Sequence, residues 1–394
     1  MKTEDARSHP RFSLVVGGPF HALLLRFGVL AEDDLPLPQA AFALAALAWS
    51  VPALLVVAQS LSVEGHSGWS YFQDATAYGR YLIAIVVMIW TERHADGRFD
   101  MLIGQFLDAR IVAAADQDSF RDALVDADRR SSSILAELLL VVFVLGLAAW
   151  STRFAAEIVP MAWEGRVVDG TVVLSWAGHF AALVSSPIFL FLVMRWCWRF
   201  VVWTNLLFRL SRLPLVLSPL HPDRSAGLGF LSIYPSIFTG FVFAASCVVA
   251  ATILKELSGV DLSTESIRGL VAGWMALMLL LFLGPLVVFA PVLREARENA
   301  LLEYGRLVHQ HHAAFHRKWL EGGLDGEDLV GSSDASSLVD LSSSVAMVNE
   351  IRVVPIDRFA FIQLVSAAGL PLMAVVMTRV PLDEIAKRIF LGLL

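Results

Sequence analysis

Seven stretches of this chain, near 39–61, 77–92, 133–152, 179–204, 229–254, 269–292 and 359–379, are long and apolar enough to cross a bilayer. The hydrocarbon core takes about 20 helical residues, which these runs approach or exceed. The second is the weakest, because Arg80 lies at its start and Glu92 at its end. Composition agrees: 57% of residues are hydrophobic, 17% are charged, and mean hydropathy is +0.65. An ordinary soluble domain carries closer to a quarter charged residues. The fold class expected is therefore all-α and polytopic, with the lipid bilayer as solvent and first partner.

Lysine and arginine set the orientation. With the N-terminus cytoplasmic, four fall in the N-terminal tail, six in 93–130, five in 195–224 and seven in 294–358, or 22 of the chain's 30. The reverse topology inverts that ratio, so the expectation is a bacterial inner-membrane protein, N-in and C-out. The first 30 residues mix charges, and their apolar run is broken by His21 and Arg26, unlike a cleavable signal. Residues 12–30 read instead as an interfacial amphipathic helix. The net charge of −7 speaks against a nucleic-acid partner. Cys197 and Cys247 both lie in apolar runs, which leaves no disulfide framework or thiolate metal site.

Four units follow: 1–38 as a cytoplasmic or interfacial segment, 39–292 as a six-span membrane domain with cytoplasmic helices at 93–132, 293–358 as a cytoplasmic helical segment, and 359–394 as the seventh span with an amphipathic tail. Asp169-Gly170 between two β-branched runs predicts a small extracytoplasmic hairpin within 161–177. A helix leaving the sixth span is expected to stop at Gly322-Gly323. A second, capped by Ser333 or Asp334, should run to about Asn349.

The stretch 189–230 carries the most chemistry. Arg195 and Arg199 lie one turn apart inside an apolar run, with Arg209 returning near the same face and Trp196, Trp198 and Trp203 around them. An arginine at membrane depth is costly and marks a functional position. One reading is a cationic stripe facing a cavity that attracts anions or lipid phosphates. The plainer one ends the span near residue 195, with the arginines reaching back to the headgroups. Glu137, one turn inside the third span, is the obvious partner for Arg195 or Arg199. Pro214, Pro219 and Pro222 then break the helix. His221, Asp223 and Arg224 make a polar loop, and Gly227 and Gly229 lead into the next span. The loop reads as a turn, docked on 293–358, rather than as a metal or acid–base site.

With PLHPDRSAGLGFL (219–231), LGPLVVFAPVL (283–293), FHRKWLEGG with LVGSSDASSLVDL (315–341) and VVPIDR (353–358), the chain resembles a group of bacterial multi-pass inner-membrane proteins. The resemblance implies topology and no particular activity. Members often carry a glycine pair before the loop's leucine, where this chain has Ala226 and Gly227.

His309, His312 and His316 share a helix face, but without a carboxylate beside them they read as solvated rather than as metal ligands. No Walker loop, dinucleotide fingerprint, HExxH or nucleophile elbow occurs, so no enzyme, cofactor or metal is expected. The leading expectation is a homo-oligomeric pore or transport protein passing a small ion, with a basic cytoplasmic entrance at Arg195, Arg199 and Arg209. The rival is a non-conducting scaffold or sensor with a cytoplasmic docking platform.

Overall fold

The computed structural model describes residues 12–14, 17–20, 22, 38–62, 69–154, 163–168, 171–259, 263–321 and 333–379. Among the described residues, six helical stretches are long and apolar enough to cross a membrane: Ala41–Leu61, Ala114–Trp150, Trp176–Leu210, Gly229–Leu257, Glu265–Glu321 and Arg358–Met377. The expected span at 77–92 is not among them. Its residues begin a longer rod, in which Ala75–Ala77 passes through the π-helical Tyr78–Ala84 into α4, Ile85–Asp108. Arg80, Glu92 and Asp96 dilute its apolar character.

Named in chain order, the elements around α4 are α1 (Pro38–Ser62), α2 (Trp69–Phe72) and α3 (Ala75–Ala77). After α4 come the charged α5 (Gln117–Ser131) and the apolar α6 (Ile134–Phe154). Strands β1 (Gly165–Val168) and β2 (Thr171–Leu174) pair antiparallel with Val168 opposite Thr171. This is the hairpin predicted from the Asp169-Gly170 pair, although those two residues lie outside the described ones. A short α7 (Trp176–Phe180) and a π-helical turn lead into α8 (Ser186–Leu210).

The loop after α8 enters the next span through a 3-10 stretch, Gly229–Phe238, where Pro235 removes a backbone donor. Then follow α9 (Thr239–Gly259) and α10 (Thr264–Leu283). A second 3-10 stretch at Gly284–Phe289 joins α10 to α11, Ala290–His316, and π-helical turns carry the rod to Glu321. At about 1.5 Å per residue the part beyond Ala290 projects roughly 45 Å from the apolar segment. It pairs with α12 (Ser333–Asn349), and α13 (Arg358–Arg379) returns to the bundle.

Arg297 donates to the Asn349 carbonyl at one end of the α11–α12 hairpin, while at the other Lys318 and Trp319 both donate to Asp334. Asp334 thus ties two helices together where a cap was expected. The glycines at 322–323 and the tail after Arg379 lie outside the described residues. So does most of the expected helix at 12–30; of its described part, Phe12, Ser13 and Leu14 are not helical, and residues 18–20 are.

Helix α9 packs against α13 and α4, α4 against α1, and α8 against α5 and α6. Between them lies an aromatic layer. Phe99 and Trp203 have centroids 4.7 Å apart, Phe238 and Phe282 5.2 Å, and all four are fully buried together with Tyr234 and Trp196. Among the described elements, helix α6 packs mainly on α8 and the π-helical turn before α8, and exposes Leu135, Leu138, Leu139, Val142 and Phe143. Such a surface belongs in lipid.

Candidate functional site

The buried charges of the core come from three helices. α4 supplies Glu92, α6 supplies Glu137, and α8 supplies Arg195 and Arg199 one turn apart on the same face. All four are buried, with 2% to 4% of their surfaces exposed. Arg195 Nη1 donates to both oxygens of Glu92, at 2.9 and 3.1 Å, and its Nε donates to Glu137 Oε1 at 3.2 Å. Arg199 Nη1 donates to Glu92 Oε1 at 2.7 Å. Two cations thus meet two anions, with Glu92 bridging both guanidiniums. Burial without these partners would cost several kcal/mol per ion, so the set holds together only as a whole.

Neighbouring groups close the network. The Arg195 guanidinium lies 4.9 Å from the centroid of the Phe20 ring, and that of Arg199 lies 5.5 Å from the Trp196 ring. Trp196 Nε1 donates to the Met88 carbonyl, which ties α8 to α4 one turn from Glu92. The Phe20 amide donates to Glu137 Oε2 at 2.8 Å. Further along the N-terminal segment, Phe12 donates its amide to Asp100 at 2.8 Å and Ser13 its hydroxyl to Asp96. The segment therefore runs along an acidic stripe of α4, with Phe12 and Leu14 buried against the core.

The pairing of Arg195 with Glu137 is one of the two the sequence offers, the other being Arg199 with Glu137. Glu92, the bridging acid, was read only as the polar end of a weak span. Its spacing with Asp96 and Asp100, at i, i+4 and i+8, is the signal that was available: three acids on one helix face beside an apolar run need partners. The N-terminal strap left no comparable mark, because Phe12 and Phe20 reach their acids through backbone amides.

Arg209 does not join this group. At the end of α8 it bonds Asp126 of α5 at 2.5 Å and is 40% exposed. Asp126 also pairs with Arg130, whose carbonyl accepts from Trp198. Arg209 thus fastens the charged α5 across α8, away from the buried four.

The loop of His221, Asp223, Arg224, Gly227 and Gly229 forms a second cluster. Asp223 Oδ1 accepts the amides of Ser225 at 2.8 Å and Gly227 at 3.2 Å, and Oδ2 accepts that of Gly229 at 2.7 Å. His221 Nδ1 lies 3.0 Å from Asp223 Oδ1. Burial pushes the Asp223 carboxyl up, but the three amides and His221 outweigh it and hold it below the ordinary carboxylate value. Arg224, Ala226 and Gly227 all have positive φ, at 55°, 52° and 96°. Arg224 reaches Glu350 at 3.0 Å, and its carbonyl accepts from the Arg352 amide, so the turn is docked on the chain after α12.

Of the histidines on α11, His311 contacts Ser337 and His316 contacts Glu321. Among the described residues no group of three His, Cys, Asp or Glu side chains could hold a metal ion.

On the side of the hairpin, Asp74 is buried and accepts from the amide and hydroxyl of Thr76 and from Trp163 Nε1. It fixes the start of the α3–α4 rod to the residues just before β1. It is a structural joint, fully bonded.

Fold and site together define an all-α, multi-pass membrane protein whose core carries a buried network of two arginines and two glutamates. No protein-family model, no curated protein and no solved structure matches the chain.

Proposed function

We propose that this protein is a non-conducting membrane scaffold or sensor, with a bundle stapled through its interior and a helical platform at one face. The observation that carries the reading is that Arg195 and Arg199 are buried against Glu92 and Glu137, with Arg199 beside the buried Trp196 ring. A pore lined by cations needs guanidiniums facing water, and these face carboxylates. The platform consists of the end of α4, α5, and the α11–α12 pair with the Asp223 loop docked against it.

The α4 rod is counted here as a seventh span. In support, it packs against α1 and α9, both apolar helices, and the acid that weakens its hydropathy is neutralised by α8. The lysine and arginine distribution supports an inner-membrane protein with a cytoplasmic N-terminus and the platform on the cytoplasmic side.

Reconstitution of the full chain into liposomes tests the reading. The wild type should pass neither chloride nor potassium under an imposed potential, at any pH from 5 to 8. An ion-selective flux that disappears in Arg195→Gln or Arg199→Gln would overturn the scaffold and restore a pore.

A further inference from the structure

Three grooves follow one another along one side of the bundle, each sharing two residues with the next. The first, about 370 Å³, lies between α4 and the start of α9, with Val87, Trp90 and Phe243 in its walls. It shares Arg98 and Ser236 with a second of about 350 Å³, which is bounded by α13. Ser232 and Asp357 then belong both to the second and to a third of about 280 Å³ under the Asp223 loop. Apolar side chains dominate the first groove and polar ones the last. The series thus runs from membrane-facing surface to polar loop.

At the first junction stands Arg98. Its Nη1 donates to Ser236 Oγ at 2.9 Å and to the Ser236 carbonyl at 3.4 Å, which hold the guanidinium over the grooves. Among the described residues no carboxylate pairs with it, and none accepts from its Nε or Nη2. The other arginines of the series have acids: Arg224 pairs with Glu350 and Arg352 with Asp357. Asp357 also accepts the amide of Phe359 at the start of α13.

We propose that these grooves are a phospholipid site. One acyl chain lies between α4 and α9, the phosphodiester meets the open fork of Arg98, and the rest of the headgroup extends toward Ser232 and Asp357. The order of the lining matches the order of such a molecule: hydrocarbon, one negative charge, then hydrogen-bonding groups. A guanidinium suits a phosphodiester because its donors lie in one plane at the spacing of two oxygens. A free phosphate dianion leaves the apolar groove unused and meets Asp357 just beyond the arginine. Trp90, exposed at the groove's rim, is of the type that gathers at headgroup level. Both the scaffold and the pore are compatible with the site.

The test uses the full chain, purified and stripped of lipid in detergent, with phosphatidylglycerol, diacylglycerol and inorganic phosphate as probes. Native mass spectrometry and thermal melting should show that phosphatidylglycerol binds and raises Tm, while the other two do neither. Arg98→Gln should weaken phosphatidylglycerol binding about tenfold or more. Val87→Trp, which fills the apolar groove but keeps the arginine, should do the same; the two variants fail independently if one does not fold. Binding unchanged in both variants overturns the proposal. So does equal stabilisation by inorganic phosphate, which would mark a simple anion site, or by diacylglycerol, which would mark a greasy groove alone.

Discussion

Gly18 shows how closely the buried network is fitted. Its φ is +82°, and a Cβ there would lie 2.6 Å from Glu137 Oε1. Gly18→Ala therefore adds left-handed strain of about 1–2 kcal/mol and pushes Glu137 from Arg195. We expect a loss of about 2 kcal/mol or more in detergent, read by thermal melting; an unchanged Tm would mean that the N-terminal strap does not rest on Glu137. At this scale the sequence was partly legible. Arg195, Arg199 and Glu137 stood out because charges in an apolar run have few explanations. Gly18 did not, because a glycine signals conformational freedom without saying what lies opposite it.

Among elements, the 219–229 loop tests how turn chemistry docks one part of the chain on another. Asp223 takes three backbone amides, so Asp223→Ala should cost about 1–3 kcal/mol by leaving them without an acceptor. The folded state holds this carboxyl below its unfolded value of about 3.9. Its contribution is thus fully present above about pH 4 and is lost as pH falls through the folded value. The stability gap between wild type and Asp223→Asn should accordingly hold from pH 7 to about 5 and shrink below about pH 4. A gap constant down to pH 3 would contradict the assignment. The turn itself was legible from its prolines, Asp223 and glycines. The positive φ of Ala226 had no local signal, because alanine rarely adopts it, and the pairing with Glu350 depends on how α11 and α12 return to the bundle.

The whole molecule follows from its apolar periodicity as far as the helices go, and not further. Six of the seven expected spans correspond to helices long and apolar enough to cross, because that property is local. The α4 rod broke the pattern because its polar residues are compensated by other helices. Hydropathy weighs Glu92 as though it faced lipid, whereas α8 supplies its counter-charges. For the same reason the bonds of Arg195 and Arg199 to Glu92 were not read: the arginines were visible, and that acid lay about a hundred residues away.

The account stands on that mutual neutralisation, and a double-mutant cycle between Glu92 and Arg199 measures it most directly. Thermal stability in detergent would be followed for wild type, Glu92→Gln, Arg199→Met and the pair. Each single change leaves a buried charge in excess and should cost about 3–5 kcal/mol. The double variant should cost less than the sum by at least about 1 kcal/mol. Strictly additive losses, or single variants as stable as wild type, would contradict it by showing that water, rather than Glu92, meets the arginines.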